Sequence, residues 1–362
     1  MSNILNWSNK KIFITYPIIY FIGPLLILEF IFRLLPVSDS LAVNNVNDQN
    51  PILHFQPSRK VNIQTGFNFS HFNTKNINNY GYASDNDFLK GGDLEKKTIV
   101  VVGDSYVEAL QVSNPNSFHG NLATKRKDLA LYPIGISGAP LSQYLAFAAF
   151  AEAEFSPDAY VFVIIENDFH QSWEKNKKAP GFHYFLDTGM LKRIDYEKSF
   201  FKKLTGNSAF LRYLILDLKI PTQFLIMKNK IFNLNEPSLI NNNEILSDGM
   251  LAIQHFFSNL EQSFSDKPVI LILDGDRRSI YKNVFERPKD INENIWFYEM
   301  IKQSHEHHFI TLIDLHPIFS SEWKVNKSHF NYRYDDHWNE KGHSIVSRVL
   351  DNHIDQVFNK ES

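Results

Sequence analysis

The chain has 362 residues, of which 43% are hydrophobic, 14% aromatic and 21% charged, and its formal net charge at neutral pH is −3. That length and apolar content suffice for one large globular domain with additions, while the near-balance of charge and the lack of a long basic block leave no footprint for nucleic acid. Cysteine is absent, which excludes disulfides and thiolate metal sites and fits a bacterial envelope protein.

The amino terminus carries the first signal. Ile12 to Leu28 is apolar and uncharged, and the run continues through Glu29 and Arg33 to Leu35. Such a span is long enough to cross a bilayer core of about 30 Å. Glu29 and Arg33, four apart, can pair on one helix face near a membrane boundary. Lys10 and Lys11 precede the run and favour an amino terminus in the cytoplasm. Pro17 and Pro24 are tolerable within a membrane helix. The expectation is a cytoplasmic tail at 1–11 and an uncleaved single-span anchor at 12–36. Everything after Pro36 then lies outside the cytoplasm, on the periplasmic side of a bacterial inner membrane. A cleaved signal peptide is the alternative, although no small-x-small cleavage site follows, and a buried soluble helix is the third reading. Residues 37–97 are polar, rich in Asn, Asp and Ser, and read as an extended connector. Within it Phe67, Phe69 and Phe72 suggest a short edge strand, and Asn78 to Tyr82 a turn.

Thr98 to Leu110 is the stretch on which the rest is organised. The β-branched run Ile99 to Val102 reads as a strand buried on both faces of a parallel sheet. It stops at Gly103-Asp104-Ser105, and a helical pattern follows, with Asp104 or Ser105 as its cap. A serine hydroxyl is thereby placed at the carboxyl end of a strand, beside a helix N-terminus, where open α/β sheets bind ligands and where negative charge is favoured.

Further along, Asn121 to Lys127 is helix-compatible, and Ala130 to Ile134 is a second strand that ends in Gly135-Ile136-Ser137-Gly138. Leu141 to Ala153 is a buried helix, and Ala159 to Ile165 a third strand that ends in Glu166-Asn167-Asp168. The alternation implies a doubly wound parallel sheet whose strand ends line one crevice. The backbone N–H groups of Ser105 and Gly138 and the amide of Asn167 can together form an oxyanion hole there. An ordinary turn for Gly138 and a helix cap for Asn167 are the plainer readings.

The stretch from about 170 to 245 breaks the alternation and reads as an insertion beside the crevice, a lid or a substrate-selecting surface, with a helical piece at Ala209 to Lys219. Leu251 to Phe264 is a helix, Pro268 to Leu273 the fourth strand, Trp296 to His307 a helix and Ile310 to Leu315 the fifth strand. Arg277 and Arg278 read as solvated loop charge in preference to an anion site. His305, His307 and His308 do not fall on one helix face and read as a solvated helix end, not a metal site. Asp274-Gly275-Asp276 lacks the further ligands of a calcium loop.

The second informative stretch is Tyr334 to His343. His337 is a candidate base for the serine proton, and a nearby carboxylate can fix its tautomer. Asp335 and Asp336 are both candidates. Asp335 is preferred, because a spacing of two turns its side chain to the same side as His337 in an extended segment. His343 is the rival base, although its place beside the expected helix, Ser344 to Val357, suits a cap or a surface residue.

In four blocks, Gly103-Asp104-Ser105, Ile136-Ser137-Gly138, Asn167-Asp168 and Asp335-Asp336-His337, the chain resembles the SGNH (GDSL-like) hydrolase superfamily, and the blocks span most of residues 98–360. The resemblance implies a flavodoxin-like three-layer α/β/α sandwich with a five-stranded parallel sheet. It implies Ser105 as nucleophile, His337 as base, Asp335 as its acid, Ser105, Gly138 and Asn167 as oxyanion donors, and no metal or cofactor. Two departures stand out: Glu166 replaces the usual glycine before Asn167, and the usual acid position, three before the histidine, is Tyr334. The variant Asp-x-His-Trp-Asn looks like membrane-anchored bacterial members, some of them resembling polysaccharide O-acetyltransferases. The expected activity is hydrolysis of an O-acyl ester, O-acetyl by analogy, on a small molecule or envelope glycan. An acyltransferase served by a multi-span acyl-transporting membrane protein is the alternative, and a catalytically inactive binding module the second.

Overall fold

The five apolar runs form one parallel sheet. In chain order its strands are β1 (Lys97–Gly103), β2 (Leu129–Gly135), β3 (Ala159–Ile164), β4 (Val269–Leu273) and β5 (Ile310–Asp314), and their spatial order is β2-β1-β3-β4-β5. This computed structural model describes residues 18–65, 71–220, 224, 227, 242–289, 291–333 and 335–359. The sheet has the two faces that its unbroken apolar strands require. Ile99, Val101, Val161, Val163, Ile270 and Ile272 face one side. There they meet Phe118 and Leu122 of α1 (Phe118–Lys125) and Val346, Leu350 and Ile354 from the helix Glu340–Asn359. Tyr160 and Phe162 face the other side, against Phe264 and Phe256 of the long helix Asn242–Phe264, which packs on α2 (Leu141–Phe155). Each such side chain contributes about 1.5–3 kcal/mol by leaving water.

The strand order reverses at β1, so the crevice opens between the carboxyl ends of β1 and β3, where doubly wound sheets bind ligands. Gly103 closes β1 tightly: a Cβ there would sit 2.4 Å from Val107 Cγ2.

By its contacts the chain divides into two units. The larger comprises Val43–Lys60, Lys75–Lys198 and Pro237–Ser362; the smaller comprises Met1–Ala42, Val61–Thr74 and Ser199–Glu236. The larger unit departs from the expected connector. Ile52, Leu53, Phe55, Ile77, Tyr82 and Phe88 are buried, and Phe88 stacks on Tyr132 with ring centroids 4.3 Å apart. Apart from Ile77, at the end of a strand, these residues show no strand or helix periodicity because they cover the core as irregular chain, held by Asn side chains that satisfy the turn, such as Asn78 Oδ1 accepting from Tyr80 and Tyr82 N–H at 3.0 Å.

In the smaller unit the apolar amino-terminal segment is described from Ile18. A π-helical turn, Ile18–Ile22, leads into the helix Gly23–Arg33, none of whose side chains is buried. No helix among the described residues is long and apolar enough to cross a membrane, and residues 1–17, the start of the expected anchor included, lie outside them. Ala209–Arg212 is helical and continues as a π turn, Tyr213–Asp217. Phe72 is in a strand, His71–Ile77, which pairs with Arg59–Thr65, whereas Phe67 and Phe69 lie outside the described residues.

Candidate active site

Asp104 supplies the cap that starts the site. Its Oδ1 accepts the N–H of Tyr106 at 2.9 Å and begins a single helical turn, Ser105–Glu108, that ends at Ala109 with φ 49°. This sharp strand-to-turn corner lifts the Ser105 hydroxyl into a cleft of about 780 Å³. Gly138, Asn167 and His337 line the same cleft.

His337 arrives from a two-stranded hairpin in which Asn331–Tyr332 pairs antiparallel with Asp335–Trp338. Alternation along that strand turns Asp335 and His337 to one side. Asp335 Oδ1 accepts from His337 Nδ1 and, at 2.9 Å, from the His337 backbone N–H. The remaining imidazole nitrogen, Nε2, lies 2.7 Å from Ser105 Oγ, across a chain separation of 232 positions. With Nδ1–H given to the carboxylate, Nε2 is the acceptor, and the serine proton lies on that contact in preference to the longer one, 3.1 Å, to Asp104 Oδ2. Asp336, the other carboxylate, points away and meets the exposed Arg278 at 3.1 Å.

The electrostatics fit proton transfer. Burial works against the Asp335 charge, but hydrogen bonds from His337 and the charge of its imidazolium form outweigh it and hold the carboxyl down at about 2. Burial likewise opposes a charge on His337, yet Asp335, with smaller help from Asp104 and Glu108, raises the imidazole above its ordinary 6.5. Only the neutral ring can take a proton. Serine-dependent turnover, measured as kcat/KM, is therefore expected to rise with pH through a midpoint above 6.5 and then level off; a midpoint below 6.5 contradicts this assignment.

Buried polar groups fix the turns around the serine. The backbone N–H of Ser137 donates to Glu108 Oε2 at 3.1 Å, and the Ser137 hydroxyl donates to the same oxygen, so the Gly138 turn is tied to the serine's own helical turn. Burial pushes the Glu108 carboxyl up to about 7. Gly138 has φ +77°, a region that favours glycine, and a Cβ there would meet Lys177 Nζ at 2.8 Å. Lys177 Nζ donates to Gly138 O at 2.6 Å and to Gln171 Oε1 at 2.8 Å, and the same Gln171 oxygen is 3.4 Å from Asn167 Nδ2. Asp168 Oδ2 accepts from Ile165 N–H and Tyr144 O–H, both at 2.8 Å, and so folds the turn that presents Asn167. Glu166 lines the cleft mouth with a half-exposed side chain, 3.6 Å from Arg278.

Several sequence expectations change. Arg277 is largely buried and not a solvated loop charge: it pairs with Asp274 at 2.8 Å, donates to Tyr106 Oη at 2.5 Å and to the Asp336 carbonyl, and so ties the β4 loop to both halves of the site. Trp338 Nε1 donates to Asp274 Oδ1 at 3.0 Å and anchors the hairpin from below. His343, expected as a cap or surface residue, is buried inside the helix Glu340–Asn359, where its ring stacks on Phe118 and its Nδ1 accepts from the Phe118 N–H at 3.2 Å. Burial holds it well below its ordinary pKa, so it is committed to the core and is no rival to His337. His305 and His308 are exposed, and His307 stacks on Phe257. Sequence reading missed Arg277, Asp274, Glu108 and Lys177. Glu108 lies three residues after the serine, on the same helical turn, and was open to inference; nothing in the sequence marks Lys177.

No protein-family model and no curated protein matches the chain. Among solved structures it is similar to a lipolytic protein of the G-D-S-L family from Veillonella parvula, at 11% identity over 72% of this chain and 99% of that one, with a TM-score of 0.41. It is also similar to the psychrotrophic esterase EstA from Pseudoalteromonas sp. (10%, 73% and 100%, 0.38) and to the acetyl xylan esterase AlAXEase (13%, 71% and 99%, 0.38). At these scores the likeness carries no weight for the activity of this chain.

Proposed function

We propose that the chain is a serine ester hydrolase in which Ser105 is the nucleophile, His337 the general base and Asp335 the acid that orients it. The observation that carries this reading is the unbroken contact from Ser105 Oγ to His337 Nε2 at 2.7 Å and from His337 Nδ1 to Asp335. Ser105 Oγ gives its proton to Nε2 as it attacks the ester carbonyl. The N–H groups of Ser105 and Gly138 and the amide of Asn167 hold the developing oxyanion. The tetrahedral adduct collapses, the alcohol leaves with the proton from Nε2, and an acyl-serine remains. Water, deprotonated by the same nitrogen, then releases the acid.

The charged and amide groups of the cleft suit an ester of a polar alcohol. Beyond Ser105 its wall carries Glu166, Asp276, Arg278, Asn294, Asn331 and Arg333, interleaved with Ile165, Phe297 and the rings of Tyr106, Tyr281 and Tyr332. An O-acetyl ester of an envelope carbohydrate fits such a lining, with charged and amide groups for the sugar hydroxyls and aromatic rings for its apolar faces. The deciding experiment is treatment of the full chain with a fluorophosphonate probe, followed by mass mapping, alongside hydrolysis of p-nitrophenyl acetate. One phosphonyl group per chain, located on Ser105, together with acetate release, is expected. Folded protein that stays unlabelled returns the reading to an inactive binding module. Acetylated sugar, formed in place of free acetate when an acceptor is added, turns it into a transferase.

A further inference from the structure

Of the 25 large hydrophobic side chains exposed among the described residues, 17 belong to the smaller unit. Ten lie between Tyr20 and Leu35, in the segment expected to enter a membrane. Six of the others are Phe200, Leu204, Leu216, Ile220, Phe224 and Met227. Phe200 and Leu204, four apart on the helix Phe200–Asn207, are 81% and 50% exposed, and the intervening Lys202 and Lys203 are exposed beside them. Ile220, Phe224 and Met227, each helical at its own position, are exposed as well. A water-facing surface does not collect apolar side chains at this density without an occupant.

We infer that the described residues from Phe200 to Ile220, with Phe224 and Met227, form a second membrane-contacting element, which lies on an anionic phospholipid surface beside the amino-terminal segment. The inference extends the anchor reading of residues 12–36 and is independent of the proposed chemistry. Charge identifies the occupant. Between Lys198 and Lys230 the sequence has seven Lys or Arg and one Asp, in a chain whose net charge is −3. Apolar side chains interleaved with lysine suit a layer with acyl chains below and anionic headgroups above. The internal hydrogen bonding of the unit points the same way. Glu29 pairs with Arg33 at 2.7 Å and also accepts from Ser208 Oγ, Ala209 N–H and Phe210 N–H at 2.7, 3.0 and 3.1 Å. Arg33 donates on to the Asn207 carbonyl at 2.9 Å, and Phe32 packs on Tyr213 with centroids 4.6 Å apart. The one carboxylate of the helix Gly23–Arg33 is thus satisfied by the second segment, as a polar group close to hydrocarbon must be.

Because the chain has no cysteine, each introduced one is unique. Leu204→Cys, Met227→Cys, Leu25→Cys and Val325→Cys are each labelled with a polarity-sensitive fluorophore in the full chain. The proteins are reconstituted into phosphatidylcholine–phosphatidylglycerol vesicles in which about a quarter of the lipid is anionic, with and without doxyl-labelled lipid. Leu25 reports the amino-terminal segment, and Val325, 84% exposed in the larger unit, reports water. Expected is loss of emission to the lipid quencher at 25, 204 and 227, but not at 325. Quenching at 25 alone overturns the second element and leaves the anchor. Quenching at none overturns both. A blue-shifted label at 204 and 227 that the lipid quencher does not reach means a protein occupant and also overturns the proposal. Ester hydrolysis by the same four proteins reads the proposed chemistry separately.

Discussion

Asp335→Asn is expected to lower kcat about 10⁴-fold while KM stays near its original value. The carboxylate accepts from both His337 Nδ1 and the His337 backbone N–H, so it fixes the tautomer and the plane of the ring together. An asparagine amide can offer its NH₂ to Nδ1 instead; the ring proton then moves to Nε2, and the nitrogen that faces Ser105 becomes a donor with nothing to accept into. The ground-state cleft is untouched, so substrate binding is spared. The loss also has a pH signature. Asp335 is the chief group that raises His337 above 6.5 against the opposing effect of burial, so the residual activity should show its midpoint shifted to lower pH. Asp336→Asn is the matched control: its side chain meets an exposed arginine, and the rate should be little changed. Steady-state hydrolysis across pH reads both variants, and a larger loss at 336 than at 335 would refute the assignment of the acid.

The second large effect is on stability. Arg277→Met is expected to cost about 3–5 kcal/mol, because it leaves the Asp274 carboxylate buried without its cation. In a protein of this size that is a fall in Tm of roughly 10 °C. The two side chains are 10% and 9% exposed and 2.8 Å apart, so the pair is a buried one to which surface screening does not apply. Methionine keeps the aliphatic stem and removes the fork that also reaches Tyr106 Oη and the Asp336 carbonyl. Arg278→Met, one position on, is the contrast: that side chain is 71% exposed, and its loss should cost no more than about 0.5 kcal/mol. Thermal melts of the two variants test this, and equal melting temperatures would contradict it.

The contrast between Arg277 and Arg278 also shows where sequence reading stops. In Asp-Gly-Asp-Arg-Arg the two arginines look alike, and only the fold decides that one turns inward beneath Tyr106. By comparison β1 was plain in sequence, because four β-branched or aliphatic residues buried on both faces leave no polar alternative and a glycine-bearing corner follows at once. The remaining strands were legible for the same reason. Residues 43–60 and 75–96 were not, since their buried aromatics follow no period that a strand or helix would impose. His343 was misplaced because the helix begins at Glu340, earlier than its apolar pattern suggests, which turns the fourth residue inward instead of leaving it at the cap. Asp335 and His337 were recoverable because two-residue spacing has meaning in any extended segment. Lys177 was not, because its partners are a backbone carbonyl and a glutamine whose proximity only the folded turns create.

The proposed acid and base occupy one four-residue strand, whereas the proposed nucleophile and oxyanion donors follow the first three strands of the sheet. In the proposed mechanism the proton relay is therefore inherited or lost as a single cassette. A chain cut just before the hairpin would lose both members of the relay together with the helix Glu340–Asn359, whose Val346, Leu350 and Ile354 cover one face of the sheet. Recombination between related chains at that boundary would exchange whole relays and would not create mismatched halves.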